Sequence, residues 1–286
     1  MTWASGAATD TGLLRALNED RYWADAERGV FVVADGVGGN VAGEVAAQTA
    51  VDVIRAAQLE DEAAVREAIA RANNRIYELA EADSERRGMA CVLTVAAVTG
   101  EDLLIGHVGD SRLYLIWHGA IRKLTDDHSP VGEDEDAGAL SEHEAMSHPR
   151  RNEVFRDVGS RRRSADEPDF IQIRRCRFHR DAAFLLCSDG LTDHLTAAQV
   201  RAIVERYEGD AANVALELVD AANQAGGKDN ITALFVAGPD FEGRTAATRP
   251  RGMTTRVRPR RGRALRAVWV ALGIAIGMAV WVVARR

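Results

Sequence analysis

The chain has 286 residues, of which 47% are hydrophobic and 28% charged, a composition typical of a globular protein that excludes an intrinsically disordered one. Its formal charge is −7, but eleven of its 36 basic residues and none of its 43 acidic ones lie in 243–286. The first 242 residues therefore carry −18, which argues against nucleic acid as their ligand, because phosphate groups are bound by basic surfaces.

The first half of the chain is predicted to begin with a buried strand over 30–34 (VFVVA). Apolar residues at helical spacing predict helices over 44–57 and about 62–82. An antiparallel meander is then indicated by strand-like runs separated by turn residues, at 91–98, 102–108, 112–117 and directly after His118–Gly119.

The second half combines helical and strand patterns without an internal repeat. The predicted elements are a weak helix over 141–158, strands over 169–175 and 182–187, two helices within 196–223 and a last strand over 231–237. Paired helices between groups of strands favour a layered α+β domain over a regular βαβ alternation.

Residues 267–284 (AVWVALGIAIGMAVWVVA) contain no charge and would measure about 27 Å as a helix, close to the thickness of the hydrocarbon layer. Trp269 and Trp281 lie near the two ends, where indole rings favour the membrane interface. A buried core helix is the alternative, but this segment has no polar face. We therefore predict a transmembrane helix over 267–284.

Residues 241–266 are rich in arginine and have no apolar periodicity, which predicts a disordered juxtamembrane linker suited to anionic lipid. Because basic residues favour the cytoplasmic side, we expect a single-pass protein of the cell membrane with its folded domain, residues 1–240, in the cytoplasm. The N-terminus (MTWASG) lacks a basic segment followed by an apolar run, so no signal peptide is expected.

The three cysteines, Cys91, Cys176 and Cys187, are an odd number without CxxC spacing. They support neither a disulfide framework nor a zinc site, and they fit a reducing compartment.

Four aspartates stand at predicted strand ends beside glycine or asparagine: Asp35, Asp110, Asp189 and Asp229. One Asp-Gly is usually only a turn. Four in one domain, joined by Asn18-Glu19-Asp20, indicate carboxylates converging on one edge of a sheet. Oxygen ligands without histidine or cysteine suit Mg²⁺ or Mn²⁺.

Seven segments in order resemble the PPM protein phosphatases, also called type 2C serine/threonine phosphatases, in their bacterial form. They extend over about residues 8–238: GLLRALNEDR (12–21), FVVADGVGGNVAGEVAA (31–47), GHVGDSRLYL (106–115), LTDDHSPV (124–131), HPRRNEVFRDVG (148–159), LLCSDGLTDHL (185–195) and GGKDNITALFV (226–236). The resemblance implies a four-layer αββα sandwich, in which two antiparallel sheets are flanked by helices and a metal cleft lies at one end.

The resemblance also implies a two-metal centre. Asp35 would bridge two ions, Mn²⁺ or Mg²⁺. The Gly36 carbonyl and, through water, Glu19 would serve one ion, and Asp189 and Asp229 the other.

Further roles follow from the same resemblance. Asp110, with Asp189, matches a weaker third metal site of bacterial members. Asp20 is placed with the metal residues, and together with Asn230 would hold waters and carboxylates in position. Arg15 matches the arginine that grips the substrate phosphate, which a guanidinium fork suits.

The implied reaction is hydrolysis of phosphoserine and phosphothreonine by a metal-activated water, without a covalent intermediate. Consistent with this, none of the cysteines has the arginine six positions later that cysteine-dependent phosphatases need. Val37 departs from the histidine that many eukaryotic members have there as a candidate general acid. His128 and His148 are alternatives, although a structural or surface role is favoured for both.

The segments 133–136 (EDED) and 161–163 (RRR) fall where the family has a mobile flap. A solvated loop is the favoured interpretation, and attraction of an acidic or phosphorylated partner by the arginines is the alternative.

Two other functions remain open: a weakly active module that binds phosphoproteins at the membrane, and a nucleotide or small-phosphoester hydrolase. The first would be signalled by loss of a bridging aspartate, which is not seen, and the second lacks a Walker A motif. The expected partners are phosphoproteins and a membrane Ser/Thr kinase, which bacterial relatives often oppose.

Overall fold

The computed structural model describes residues 3–37 and 41–244. In this part of the chain, ten strands form two five-stranded antiparallel sheets. The strands are β1 (Ala4–Asp10), β2 (Arg21–Asp25), β3 (Val30–Val37), β4 (Ala90–Thr99), β5 (Asp102–Val108), β6 (Arg112–Trp117), β7 (Ala120–Lys123), β8 (Gln172–Arg177), β9 (Ala183–Cys187) and β10 (Ile231–Ala237). One sheet has the order β1-β10-β9-β6-β7 and the other β2-β3-β4-β5-β8.

Seven helices accompany these sheets in the described residues. They are α1 (Val41–Ala56), α2 (Glu62–Ala82), α3 (Pro130–Asp136), α4 (Glu142–Met146), α5 (Asp189–Thr192), α6 (Ala197–Val204) and α7 (Ala211–Gln224). The side chains of Asp61 and Asp210 accept hydrogen bonds from the first turns of α2 and α7, and Thr196 and Gln199 form a capping box on α6.

The alternation of side chains along the strands produces the four layers. On β3, Phe31 and Val33 belong to the apolar core between the sheets, whereas Val32 packs with α1 and α2. On β10, Leu234 faces the same inter-sheet core, while Phe235 packs with α6 and α7. Two-sided burial of this kind explains why these strands are almost continuously apolar. The predicted αββα sandwich is confirmed.

One predicted element is wrong. The weak helix expected over 141–158 is present only as α4, because Pro149 disfavours helical backbone before it and the chain turns after Met146. The two N-terminal strands and the short helices α3 and α5 were not predicted.

No helix within residues 3–37 and 41–244 is long and apolar enough to cross a membrane. The predicted span over 267–284 and most of the predicted linker over 241–266 lie outside the described residues.

Candidate active site

The predicted site residues meet at one end of the two sheets. Asp35 lies near the end of β3, Asp110 in the turn between β5 and β6, and Asp189 at the start of α5 after β9. Asp229 directly precedes Asn230 and β10. Neighbouring strands of an antiparallel sheet run in opposite directions, so the ends of some strands and the beginnings of others lie at the same edge. Residues more than a hundred positions apart in the sequence therefore become neighbours here.

A cavity of about 140 Å³ opens among these residues. It is lined by eight of the nine predicted site residues, namely Arg15, Glu19, Asp35, Gly36, Asp110, Asp189, Asp229 and Asn230. The ninth, Asp20, is buried beside Asp35 and accepts a hydrogen bond of 2.7 Å from the Ser188 hydroxyl. The structure thus brings the predicted set together, while the individual roles remain predictions.

Burial and mutual repulsion dominate the electrostatics of this cavity. Loss of hydration, followed by the charges of neighbouring carboxylates, raises the pKa of Asp35 and Asp189 well above the ordinary value. Burial likewise raises the pKa of Asp20 to about 6 and that of Asp110 to about 7. The protein alone does not compensate this concentration of acid, which a bound cation would stabilise.

Two buried carboxylate oxygens at this end of the sheets are left without hydrogen bonds. Glu19 Oε1 and Asp20 Oδ1 have no hydrogen-bond partner within the protein, although buried oxygens normally have one. Glycines surround the first of them, since a Cβ on Gly43 would lie 2.5 Å from Glu19 Oε1 and one on Gly36 only 2.4 Å from the Gly43 backbone. Unpartnered carboxylate oxygens in a cradle without side chains suit a hard divalent ion.

The carboxylates line the cavity without forming a closed cage. Among residues 3–37 and 41–244, no three His, Cys, Asp or Glu side chains are grouped as ready ligands of one ion. A centre built here needs other oxygen ligands as well, such as the Gly36 carbonyl that the sequence predicts.

Arg15 extends over the cavity from the turn that follows β1. Its Nη2 donates to Asp229 Oδ2 at 2.6 Å, while about half of the side chain stays exposed to solvent. A backbone hydrogen bond fixes this turn, because the Leu13 amide donates to the Gly227 carbonyl at 2.6 Å. A guanidinium that is anchored and yet half exposed is placed to meet an incoming phosphate.

Neither alternative histidine lines the cavity. The Gly109 amide donates to His128 Nδ1 at 3.0 Å, and the Arg156 guanidinium lies 3.1 Å from His128 Nε2. Burial, then His107 and Arg156, lowers the pKa of His128 to about 3, so it is a poor proton donor. The His148 ring accepts a hydrogen bond from the Arg150 amide at 3.2 Å. The favoured structural and surface roles agree with these contacts.

Buried His107 lies beside His128, with ring centroids 4.9 Å apart, and is hydrogen-bonded to the Gly109 carbonyl at 2.9 Å. The Gly109 amide is therefore bound by the His128 ring, and the Gly109 carbonyl by the His107 ring and the His128 amide. This arrangement positions the following residue, Asp110, and no single motif of the sequence indicated it.

Sequence reasoning also missed a buried ion-pair cluster behind Asp110. Arg112 Nη2 donates to Asp127 at 2.6 Å and to Glu135 at 2.7 Å. Glu135 belongs to α3, so the acidic segment 133–136 is helical and not the loop that we favoured, and Arg112 pairs with Glu135 while the other three acids are exposed to solvent.

The arginines of 161–163 are also paired within the chain. Arg161 and Arg163 contact Glu167, and Arg162 contacts Glu78. Asn73 and Asn74 of α2 bind the backbone of this segment. These contacts give the arginines a structural role and weaken the alternative of a docking patch for an acidic partner.

Asp193 is a further acidic residue that the sequence did not single out. With Asp110 and Asp189 it lines a small second cavity of about 30 Å³, and it accepts from Arg151 at 2.5 Å. Its position one helical turn after Asp189 was the available signal.

Comparison with known proteins decides the family. The family model described as protein phosphatase 2C matches residues 9–231. The chain belongs to the protein phosphatase 2C family.

Curated relatives and solved structures agree with this assignment. The chain is 34% identical over 242 residues to serine/threonine phosphatase stp of Listeria innocua, covering 80% of this chain and 93% of that protein. It is 35% identical over 240 residues to protein phosphatase PhpP of Streptococcus pneumoniae, covering 80% and 95%. The chain is thus a serine/threonine protein phosphatase of this family, as the sequence predicted.

Solved structures of serine/threonine phosphatases have the same fold. The crystal structure of the Mycobacterium tuberculosis serine/threonine phosphatase PstP/Ppp superposes with a TM-score of 0.73 and 30% identity, covering 83% of this chain and 99% of that one. A structure of the PstP catalytic domain in complex with two manganese ions gives 0.71 and 28%, covering 82% and 97%.

The stability of the metal-free phosphatase is expected to fall as the pH rises from 6.5 to 8.5. The pKa of folded Asp110 is raised to about 7, and those of Asp35 and Asp189 are raised as well, whereas in the unfolded chain these carboxyl groups have already lost their protons at pH 6.5. Because the folded state binds more protons, each step upward in pH favours unfolding. The lowered pKa values of His107 and His128 act in the opposite direction, mainly below pH 6.5.

The measurement is the Tm in EDTA at both pH values, repeated with excess Mn²⁺. We expect a lower Tm at pH 8.5 in EDTA and a smaller difference with Mn²⁺. Equal Tm values in EDTA would contradict the assigned carboxylate electrostatics.

Proposed function

We propose that this chain hydrolyses phosphoserine and phosphothreonine on proteins at a centre of two Mn²⁺ or Mg²⁺ ions. The observation that carries the proposal is the 140 Å³ cavity. Eight predicted site residues line it, and one of their carboxylate oxygens, Glu19 Oε1, has no hydrogen-bond partner within the protein. Asp35 would lie between the ions, with Gly36 and Glu19 toward one and Asp189 and Asp229 toward the other. The ions would supply a water of lowered pKa as the nucleophile.

The chain's own residues orient the reactants. Arg15 binds phosphate oxygens, for which it must exchange part of its contact with Asp229. Asn230 fixes the framework, because its Oδ1 accepts from the Glu19 amide at 2.8 Å and its Nδ2 donates to the Thr11 and Leu17 carbonyls. Asp20 is held by Ser188, behind the ligands. Proton delivery to the leaving oxygen is left to water, since none of the described residues that line the cavity is a histidine.

The decisive experiment uses the full chain with a phosphothreonine peptide and, separately, a nucleoside triphosphate. We expect phosphate release from the peptide that requires Mn²⁺ or Mg²⁺ and stops in EDTA, and much slower release from the nucleotide. Equal rates would favour the small-phosphoester hydrolase, and no release would favour the phosphoprotein-binding module.

Arg15→Ala is expected to lower kcat/KM for phosphopeptides about 10- to 100-fold, because a hydrogen bond to a charged group contributes roughly 1.5–3 kcal/mol. Arg15→Lys should recover part of the loss, since it restores the charge but not the fork. Steady-state kinetics of both variants test this. Arg180→Ala, which breaks an exposed pair with Asp240, is the control and should change nothing. An unaltered Arg15→Ala enzyme would remove Arg15 from the substrate site.

We also propose a third, weaker metal site. Asp110 and Asp189, joined by Asp193, line the second cavity beside the main one. Calorimetric titration with Mn²⁺ should therefore show a weak binding phase that Asp110→Asn removes while leaving the tighter phase. A titration in which Asp110→Asn behaves like the wild type would exclude the site.

The membrane arrangement is proposed from sequence alone. The uncharged segment 267–284 and the nine arginines between 244 and 266 support a single-pass anchor that keeps the catalytic domain, 1–240, in the cytoplasm. The proposed partner at the same membrane is a Ser/Thr kinase, which adds the phosphate groups that this chain removes. Fractionation should place the full chain in membranes and a chain ending at residue 242 in the soluble fraction, and an unchanged distribution would refute the anchor.

A further inference from the structure

Exposed apolar residues are concentrated in the chain segments that contribute to the active-site cavity. Seven large hydrophobic residues are exposed among residues 3–37 and 41–244, and five of them lie on the segments that frame this cavity. With exposures between 40% and 72%, the five are Leu13, Leu14, Leu17, Val37 and Phe155. We call them the apolar rim. Single exposed apolar residues need no explanation, but their grouping around one cavity indicates a binding surface.

One side of the rim is built on the turn that carries Arg15. Leu13, Leu14 and Leu17 flank this arginine in the sequence, and the turn is held at both ends. The Leu13 amide donates to the Gly227 carbonyl at 2.6 Å, and Asn230 Nδ2 donates to the Leu17 carbonyl at 2.8 Å. The leucines are therefore presented at fixed positions next to the proposed phosphate-binding group.

Val37 and Phe155 occupy other parts of the mouth. Val37 lines the cavity itself, two residues after Asp35. Phe155 follows Val154, which also lines the cavity, and its amide donates to the His128 carbonyl at 3.0 Å. The Arg156 guanidinium lies 5.6 Å from the centre of the Phe155 ring. An anchored backbone and a neighbouring cation hold the ring beside the cavity.

None of the five side chains belongs to the buried core clusters, so the fold does not require them to be apolar. Of the five, Val37 lines the cavity that receives the phosphate, whereas the peptide that carries the phosphate extends over the other four. The surroundings disfavour acidic flanking residues, because the first 242 residues carry −18. Apolar side chains avoid that repulsion and bury surface at about 25 cal/mol per Å².

We propose that the apolar rim selects phosphopeptide segments with large apolar side chains directly beside the phosphorylated residue. This inference rests on the proposed phosphatase function and names its substrate class. The occupant is an extended segment of a phosphoprotein, because the rim is continuous with the cavity that receives the phosphate.

The test compares three phosphothreonine peptides of equal length that differ only in the two residues flanking phosphothreonine, which are leucine, serine or glutamate. With the full chain in detergent and Mn²⁺, kcat/KM is expected to be about tenfold higher for the leucine peptide than for the serine peptide, the scale of discrimination by an apolar contact. The glutamate peptide should be the slowest. Leu14→Ser and Phe155→Ser should each reduce the leucine-to-serine ratio to about threefold or less.

Leu216→Ser is the matched control, because Leu216 is 52% exposed on α7 and is not among the residues that line the cavity. Its rates and its ratio should equal those of the wild type. Equal kcat/KM for the leucine and serine peptides, or a ratio unaffected by both rim variants, would overturn the inference while leaving the phosphatase proposal intact. Absence of hydrolysis of every peptide and of p-nitrophenyl phosphate would instead overturn the phosphatase proposal and this inference with it.

Discussion

Asp35→Asn is expected to lower kcat for phosphopeptide hydrolysis by at least about a thousandfold, a loss on the scale of one strongly stabilising electrostatic group. Asp35 is half-buried near the end of β3, and its pKa is raised by loss of hydration and by Asp20 and Asp189, so its neighbours are acids and not compensating cations. In the proposed centre it lies between both ions, and an amide there would weaken the binding of each.

The same substitution should not destabilise the metal-free fold. Removing one of several repelling carboxylates is expected to leave the Tm in EDTA equal to or above that of the wild type. The stabilisation by Mn²⁺ should shrink instead. Asp52→Asn is the control, because Asp52 lies exposed on α1 and contacts only Gln48 among its described partners. A variant Asp35→Asn with wild-type kcat would refute the proposed centre.

Arg112→Leu is expected to lower the free energy of unfolding by about 3–5 kcal/mol, because it leaves a buried carboxylate without its partner. Asp127 is only 4% exposed and receives three hydrogen bonds from Arg112. The guanidinium holds the pKa of Asp127 below its ordinary value although burial acts in the opposite direction. Lys123, at 3.2 Å, is the remaining cation and compensates only in part.

Urea unfolding measures this change, and a double variant separates its causes. Arg112→Leu combined with Asp127→Leu should be less destabilised than Arg112→Leu alone, because both members of the buried pair are removed. Arg175→Leu breaks an exposed pair with Asp102 and should cost at most about 1 kcal/mol. If Arg112→Leu were as mild as Arg175→Leu, Asp127 would have to be neutral or solvated in the folded protein.

The sequence predicted which residues meet at the cavity better than it predicted the elements around them. Strongly apolar strands are easy to locate in a sequence, and so are their ends. Such strands precede or follow Asp35, Asp189 and Asp229. By contrast, β1 (ASGAATD) consists of small residues and is a strand only because it pairs with β10. Its Gly6 lies against α7, where a Cβ would be 2.2 Å from the Ala212 nitrogen. Partners more than two hundred positions away are not readable from local pattern.

Contacts between distant residues account for the remaining differences. The cluster of Arg112, Asp127 and Glu135 and the histidines that bind Gly109 depend on how loops fold back on the sheet. The segment 133–136 looks like a solvated loop because the local sequence does not show that Arg112 pairs with Glu135. The predicted anchor over 267–284 remains a prediction, since it lies outside the described residues.

The position of β10 also determines when a newly made chain becomes an enzyme. This strand, residues 231–237, lies between β1 and β9 and directly follows Asp229, so the first and the last strand of the domain complete the sheet together. A nascent chain on the ribosome therefore lacks the strand between β1 and β9, which holds Asp229 in place, until residue 237 has emerged. Such distant pairing is slow and exposes unpaired edges. Premature termination before β10 should accordingly yield an aggregation-prone product without phosphatase activity, and not a partly active one.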